Sequence, residues 1–150
     1  PGHANSHYLL AYCLGRYSQG ISVVKALAAG LGTRIRHALE RTLELEPRHA
    51  EAHMASGTWH AEIVDKVGGL VGGLTYGANR DKALQHFRKA LELEPRSAIA
   101  RVEFASGLLL LDRGKKPEAK KLLGEAVKAK PADAMEWLDA EAAAKRLAEL

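Results

Sequence analysis

The sequence contains little cysteine and few aromatic residues, and it has no long apolar stretch. Its single cysteine, Cys13, excludes an intramolecular disulfide, and in the apolar helical stretch YLLAYCLG we expect a buried, unreactive thiol. No apolar run reaches the roughly 18 residues of a membrane span, so none is predicted. Aromatics make up only 5% of the 150 residues, and Ala and Leu carry most of the 47% apolar share. Because both are strong helix formers, we predict an all-α fold with a single domain spanning residues 1–150.

The excess of positive charge is small. The sequence has 22 basic and 18 acidic residues, which gives a net charge of +4. That excess does not predict a nucleic-acid partner. The chain opens with Pro1 instead of Met, so we expect a truncated or processed N-terminus. The sequence does not decide between a periplasmic and a cytoplasmic location, because exported bacterial proteins can also lack disulfides.

One segment recurs three times and organises the chain. RTLELEPRHA at Arg41–Ala50 parallels KALELEPRSA at Lys89–Ala98, and EAVKAKPADA at Glu125–Ala134 is a looser copy. Five, eight and twelve positions before each proline, small or apolar residues recur on one helical stripe. In chain order these residues are Ile35, Leu39 and Thr42; Ala83, Phe87 and Ala90; and Ala119, Leu123 and Ala126. Because proline ends each helix, every copy predicts a helical hairpin whose apolar stripe is buried against the next.

These copies resemble the tetratricopeptide repeat, a helix-turn-helix unit of about 34 residues. The segment ALQHFRKALELEP at Ala83–Pro95 is the strongest match. The resemblance implies a right-handed α-α superhelix of about three hairpins with a C-terminal capping helix. Seven helices are expected, at about 5–29 (with a break near Gly20), 33–46, 49–67, 80–94, 97–112, 116–129 and 133–150. Their predicted N-caps include Asn79, Ser97 and Asp133.

A glycine-rich connector, VGGLVGGLTYGANR at Val67–Arg80, enlarges the second hairpin and holds five of the chain's 14 glycines. It lacks the Lys-Ser/Thr pair and the preceding strand of a phosphate-binding loop, so phosphate binding is not predicted. Membrane contact is disfavoured because no cluster of basic residues flanks it. We expect an ordered connector that folds over one edge of the groove and buries Leu70, Leu74 and Tyr76; the alternative is disorder.

A narrower resemblance rests on GTWHAEIVDKVGG, a GxWH-type first helix followed by an enlarged connector and a standard second helix. This arrangement is similar to the regulators of microtubule dynamics and their bacterial relatives. More loosely, it resembles the repeat lipoproteins associated with TRAP transporters. The resemblance covers most of Ala38–Leu150 and implies a non-catalytic scaffold whose partner varies between relatives.

Metal and catalytic motifs are weak. HAEAH at His49–His53 places two histidines four positions apart, but His49 falls at a helix boundary and the order HExxH is missing. We therefore expect surface or helix-boundary histidines, with no metal and no cofactor, and a solvated His86. No GxSxG motif occurs, and Glu62 and Asp65 share a helix poorly for paired acid-base work. The chain is not predicted to be an enzyme.

First helices line the concave groove in solenoids of such hairpins. If Gly15, Gly57 and Ala105 are close-packing residues, the groove should lie one turn further along each first helix. The candidate groove residues are Tyr12, Arg16, Gln19, Met54, Thr58, Trp59, His60, Glu62, Ser106, Leu109 and Leu110. For Trp59 a place in the core is an equal alternative. This wall, polar and aromatic at one end and leucine-rich at the other, suits a peptide, a partner helix or an amphipathic small molecule better than DNA.

Two functions follow. The leading prediction is a scaffold that holds a peptide or protein segment in its groove. The alternative is a small-molecule carrier, periplasmic and associated with a transport system, with the glycine connector as a lid. A scaffold requires an open groove, whereas a carrier requires an enclosed apolar pocket beneath residues 70–76. Self-association through the leucines of Gly107–Asp112 is a third possibility.

Overall fold

The computed structural model describes residues 2–129, 131 and 133–150, and Pro1 lies outside them. This part of the chain contains α-helices and no strand, which confirms the all-α prediction. The helices are α1 (Ala4–Gln19), α2 (Val23–Ala28), α3 (Leu31–Leu45), α4 (Ala50–Val67), the single turn α5 (Gly69–Val71), α6 (Arg80–Leu93), α7 (Ala98–Leu111), α8 (Lys116–Lys128) and α9 (Ala134–Ala148).

Polar side chains start the helices at the predicted positions. Asn79 Oδ1 accepts hydrogen bonds from the backbone N–H groups of Asp81 and Lys82 at 2.7 and 3.1 Å. Ser97 Oγ accepts from Ala100 at 3.2 Å, and Asp133 Oδ1 accepts from Glu136 at 2.9 Å. Each of these bonds satisfies an N–H group that has no partner inside its own helix. All three predicted N-caps are therefore confirmed.

The long helices pair as hairpins: α1 with α3, α4 with α6, and α7 with α8. The short helix α2 separates the first pair and the connector separates the second, and α9 packs on α7 and α8. The first helices α4 and α7 also pack along each other. The large residues of the repeated stripe are all buried, with Leu39, Phe87 and Leu123 exposed by 2%, 0% and 1%. Thr42, Ala90 and Ala126 are buried in the same way. The repeat read from the three prolines therefore describes the packing of the second helices.

The helix count differs from the expected seven within the described residues. The first predicted helix ends at Gly20, and a separate short helix α2 precedes Gly30, whose φ of 64° is left-handed. The connector is ordered, and it folds into α5 and a π-helical turn at Gly72–Tyr76. Glycine reverses or widens the chain at these points because it carries no Cβ. Gly15 does not pack closely, since an added Cβ would meet no atom within 4 Å.

The expectation of a buried Cys13 is wrong, because the thiol is exposed. Helix α1 packs on α3 with one side only, where Ala11 is buried and Tyr8 contacts the core. Cys13 lies on the other side, which no helix of the described chain covers. An apolar stretch thus predicted the helix correctly but not which of its residues face solvent.

The ring of Phe87, on α6, is inserted between the first helices α4 and α7. A Cβ added at Gly57 would lie 2.8 Å from the ring, and one added at Gly107 would lie 2.4 Å from it. The ring also stacks on Phe104, with 5.1 Å between centroids and 14° between planes. Both glycines are therefore needed to admit the ring, since no side chain fits in that space.

We expect Gly107→Ala to lower the free energy of unfolding by about 1–3 kcal/mol, because its methyl group would overlap the ring of Phe87. Gly124→Ala is the matched control: it is also inside a helix, and its Cβ would meet nothing within 4 Å. The control should raise stability by up to about 1 kcal/mol through helix propensity. Urea unfolding followed by circular dichroism measures both changes, and equal effects would contradict the packing around Phe87.

Candidate functional site

A cavity of about 690 Å³ lies where α1, α4, α7 and α9 face one another. Seven of the eleven predicted groove residues line it: Arg16, Gln19, Thr58, Glu62, Ser106, Leu109 and Leu110. The groove, as we call this cavity, is open to solvent. The structure thus brings together residues from three first helices at the place that the repeat spacing indicated.

Seven further residues line the groove but were not predicted there: Glu103, Ala105, Gly107, Leu123, Arg146, Glu149 and Leu150. Glu103 lies one helical turn before Ser106 on α7 and therefore shares its face of the helix. Arg146, Glu149 and Leu150 lie on or just after α9, which the sequence indicated only as a cap. Arg146 Nη1 donates a hydrogen bond to Ser106 Oγ and so closes one end of the groove.

The groove carries charges of both signs. Thr58 Oγ1 donates to Glu103 Oε2 at 3.1 Å, which joins α4 to α7 across the wall. Lys66 Nζ lies 3.2 Å from Glu62 Oε2, and Arg16 Nη1 donates to Gln19 Oε1 at 3.0 Å. Leu109 and Leu110 add an apolar segment, and Leu110 is 40% exposed.

Two predicted residues of α4 lie on the opposite side of that helix. Trp59 is buried in the core, where its Nε1 donates to the carbonyl of Gly32 at 3.0 Å. His60 is also buried, and its Nδ1 accepts from the N–H of Asn79 at 3.2 Å. Because successive residues turn by about 100° around a helix, positions next to Thr58 point away from the groove. For Trp59 the core alternative is therefore correct.

Tyr12 and Met54 also lie outside the groove. Tyr12 is 53% exposed on α1, and its ring centroid lies 6.4 Å from that of Tyr8. Met54 lines a small cavity with Ala90 and Ala100, between α4, α6 and α7. Both residues precede the groove by at least one helical turn.

The connector does not cover the groove, and the expected burial of two of its leucines is wrong. Leu70 and Leu74 are 77% and 82% exposed. Tyr76 packs inward, 3.3 Å from the position that a Cβ on Gly32 would occupy, and its carbonyl accepts from Arg36 Nη1 at 2.6 Å. Ala78 is 1% exposed and belongs to the same core cluster. The connector therefore lies against α3 and α4, held by backbone contacts, by the ring of Tyr76 and by the buried Ala78.

The leucines of Gly107–Asp112 are divided between core and groove. Leu108 is buried, and Leu111 packs against the same core cluster. Leu109 and Leu110 line the groove. This segment therefore presents no continuous leucine surface for self-association.

A second cavity, of about 530 Å³, lies between α3, α4 and α6. The expected solvated position of His86 is wrong, because its Nδ1 lies 2.9 Å from Nδ1 of His53. Its ring also stacks on that of His60 at 5.7 Å. The short contact requires that one Nδ1 donates while the other accepts. No group of three or more His, Cys, Asp or Glu side chains in the described chain is placed to hold a metal ion.

Burial lowers the pKa of His60 and of His86 to about 4. The pKa of His60 is lowered further by the nearby His86, Lys82 and Arg36. The pKa of His86 is lowered further by His53 and Lys82. Protonation of His60 at Nδ1 would also break its hydrogen bond with the backbone N–H of Asn79, the N-cap of α6. Both rings are therefore neutral in the folded protein at pH 7.

We expect the free energy of unfolding to fall as the pH drops from about 6.5 to about 4. In this window the unfolded chain binds protons that the folded histidines do not, so stability rises with pH. His86→Gln should make this dependence shallower, whereas Gln85→Asn in the same cavity should leave it unchanged. Urea unfolding at several pH values measures the slope, and a slope in the His86 variant as steep as in the wild type would refute this origin.

None of the helices in the described residues combines the length and hydropathy needed to cross a membrane.

Fold and groove together define an all-α protein of packed helical hairpins. Its whole length, residues 1–150, matches the family described as Regulator of microtubule dynamics protein 1-3. The chain belongs to that family, which confirms the resemblance seen in GTWHAEIVDKVGG. A comparison with curated proteins gives no match.

Proposed function

We propose that this protein is a non-catalytic scaffold of the tetratricopeptide-like type, which holds a segment of a protein partner in the groove. The observation that carries this proposal is the groove itself, an open cavity of about 690 Å³ between the first helices. Grooves along helices commonly receive a peptide or an amphipathic helix, and polar groups then fix its register.

The side chains of the groove indicate the chemistry of the segment. Glu62, Glu103 and Glu149 place three carboxylates on the walls, against the two guanidinium groups of Arg16 and Arg146. Leu109 and Leu110 lie between them as an apolar contact. The matching partner is an amphipathic segment with an apolar residue for the leucines and Lys or Arg residues for the carboxylates. Such charge pairs would set orientation and specificity more than affinity.

The carrier alternative receives less support. It predicts an enclosed apolar pocket beneath residues 70–76, with the connector as a lid. Leu70 and Leu74 line neither of the two large cavities, and both side chains are exposed. We therefore favour a protein segment over a small molecule. The likeness to transport-associated lipoproteins suggests this carrier alternative, which the following experiment tests.

A displayed library of random peptides, selected on the wild-type protein, tests the proposal. We expect enriched peptides to carry Lys or Arg beside apolar residues and to bind the Glu103→Lys variant at least about tenfold more weakly, a loss of about 1.4 kcal/mol. The charge-matched control is Glu92→Lys on α6, whose carboxylate is exposed and pairs with Lys89 outside the groove. This control should bind as the wild type does, as measured by fluorescence anisotropy.

Two results would overturn the proposal. Peptides that bind the Glu103→Lys and Glu92→Lys variants equally would place recognition outside the groove. A small molecule retained in native mass spectrometry, together with a selection that enriches no peptide, would favour the carrier instead.

A further inference from the structure

The second cavity, of about 530 Å³ between α3, α4 and α6, has no part in the proposed function. It lies on the side of α4 that carries Ser56, Trp59 and His60, away from the groove residue Thr58. Its volume is in the range that small-molecule sites usually have. The groups in its wall therefore indicate which ligand it fits.

Two buried residues in this wall carry polar atoms without a partner. Ser56 and His60 are only 6% and 7% exposed. His60 Nδ1 accepts from the N–H of Asn79, so the neutral ring carries its proton on Nε2. Within the described chain, neither Ser56 Oγ nor His60 Nε2 has a hydrogen-bond partner, and neither atom is sealed from solvent. Because polar atoms of buried residues normally have partners, these two donors favour a polar group bound in the cavity.

His86 offers an acceptor to the same cavity. His53 Nε2 lies 3.0 Å from the carbonyl oxygen of Pro47, which only accepts, so this Nε2 carries a proton. A neutral His53 therefore accepts at Nδ1, and His86 Nδ1 donates to it across 2.9 Å. This leaves His86 Nε2 as a free acceptor, on a ring that is stacked on His60 at 5.7 Å. The stacked rings thus provide one donor and one acceptor.

Lys82 supplies the unpaired charge of the cavity wall. The other charged residues that line the cavity already have partners in the structure. Arg36 Nε lies 3.6 Å from Glu40 Oε1, and Glu44 Oε2 lies 2.9 Å from Nη1 of Arg41. The Lys82 side chain forms no ion pair or hydrogen bond within the described residues. One free cation, with two carboxylates near it, fits a ligand that carries a single negative charge better than a dianion.

The charge of Lys82 acts inside the cavity. Burial lowers the pKa of both His60 and His86, and the charge of Lys82 lowers both values further. Leu39, Leu43 and Trp59 line the cavity beside these polar groups and form an apolar part of its wall. A few convergent polar groups beside an apolar wall are typical of small-molecule sites.

We propose that this cavity binds a 2-hydroxy monocarboxylic acid with an apolar body. The carboxylate accepts hydrogen bonds from Ser56 Oγ and His60 Nε2 and pairs with the ammonium group of Lys82. The hydroxyl group on the adjacent carbon donates to His86 Nε2. The apolar body packs against the leucines and the indole ring of the wall. Each of the unpartnered polar groups then has a partner, and no second charge is placed near the two carboxylates.

Titration with mandelate, a 2-hydroxy acid with a phenyl ring, at pH 8 tests the proposal. Trp59 lines the cavity, so its fluorescence reports binding, and Trp137→Phe removes the signal of the other tryptophan, which is 55% exposed. We expect saturable binding with a Kd below about 10 mM, and binding at least about tenfold weaker after Lys82→Gln. Lys89→Gln is the matched control, because Lys89 lies on the same helix and pairs with Glu92 outside the cavity. It should bind as the parent protein does.

Two analogues separate the polar contacts. Mandelamide lacks the negative charge and should bind at least about tenfold more weakly than mandelate. Phenylacetate lacks the hydroxyl group and should bind severalfold more weakly to the parent protein. In His86→Leu, mandelate and phenylacetate should bind equally, because the acceptor for the hydroxyl group is gone. Circular dichroism checks that each variant is folded.

Several results would overturn the proposal. One is the absence of a saturable fluorescence change up to about 50 mM mandelate, a concentration above the range of K_M values typical for small-molecule ligands of enzymes. Equal binding by Lys82→Gln and Lys89→Gln, or equal binding of mandelamide and mandelate, would contradict the carboxylate contact. Displacement of mandelate by an equal concentration of inorganic phosphate would indicate a site for anions in general and would refute the assignment to a 2-hydroxy acid.

Discussion

The ring of Phe87 fixes how closely the first helices α4 and α7 approach each other. It lies between Gly57 and Gly107 with no room for a Cβ at either position, and it stacks on Phe104. A large side chain from a second helix thus fills the space that two glycines leave open on first helices. Tight interiors of this kind transmit small changes in volume over several side chains.

The position of the groove depends on this contact. Thr58 and Ser106 are the immediate neighbours of the two glycines, and both line the groove. The Thr58 hydroxyl bonds Glu103 of α7 across the wall, so the distance between the helices also sets this polar contact. Packing on one side of α4 and α7 therefore determines the geometry of the groove on the other side. A change in the packing of the core around Phe87 should therefore also change the shape of the groove.

The sequence predicted what depends on local spacing and missed what depends on tertiary contacts. Repeat spacing correctly placed Leu39, Phe87 and Leu123 in the core, because a helical stripe follows from sequence alone. It could not place His86 beside His53, since the two residues are 33 positions apart and meet only when α4 packs on α6. The exposure of Cys13 was missed for a related reason: an apolar segment indicates a helix but not how many neighbours cover it.

The connector is attached through its main chain, Tyr76 and the buried Ala78, whereas Leu70 and Leu74 are exposed to solvent. Side-chain identity at these two positions is therefore free of the packing constraints that act on α4 and α6. Substitutions there can accumulate between relatives without weakening the fold. The same freedom makes positions 70 and 74 suitable for attaching a spectroscopic label or an affinity handle. A label there would disturb neither the packing of Phe87 between Gly57 and Gly107 nor the groove.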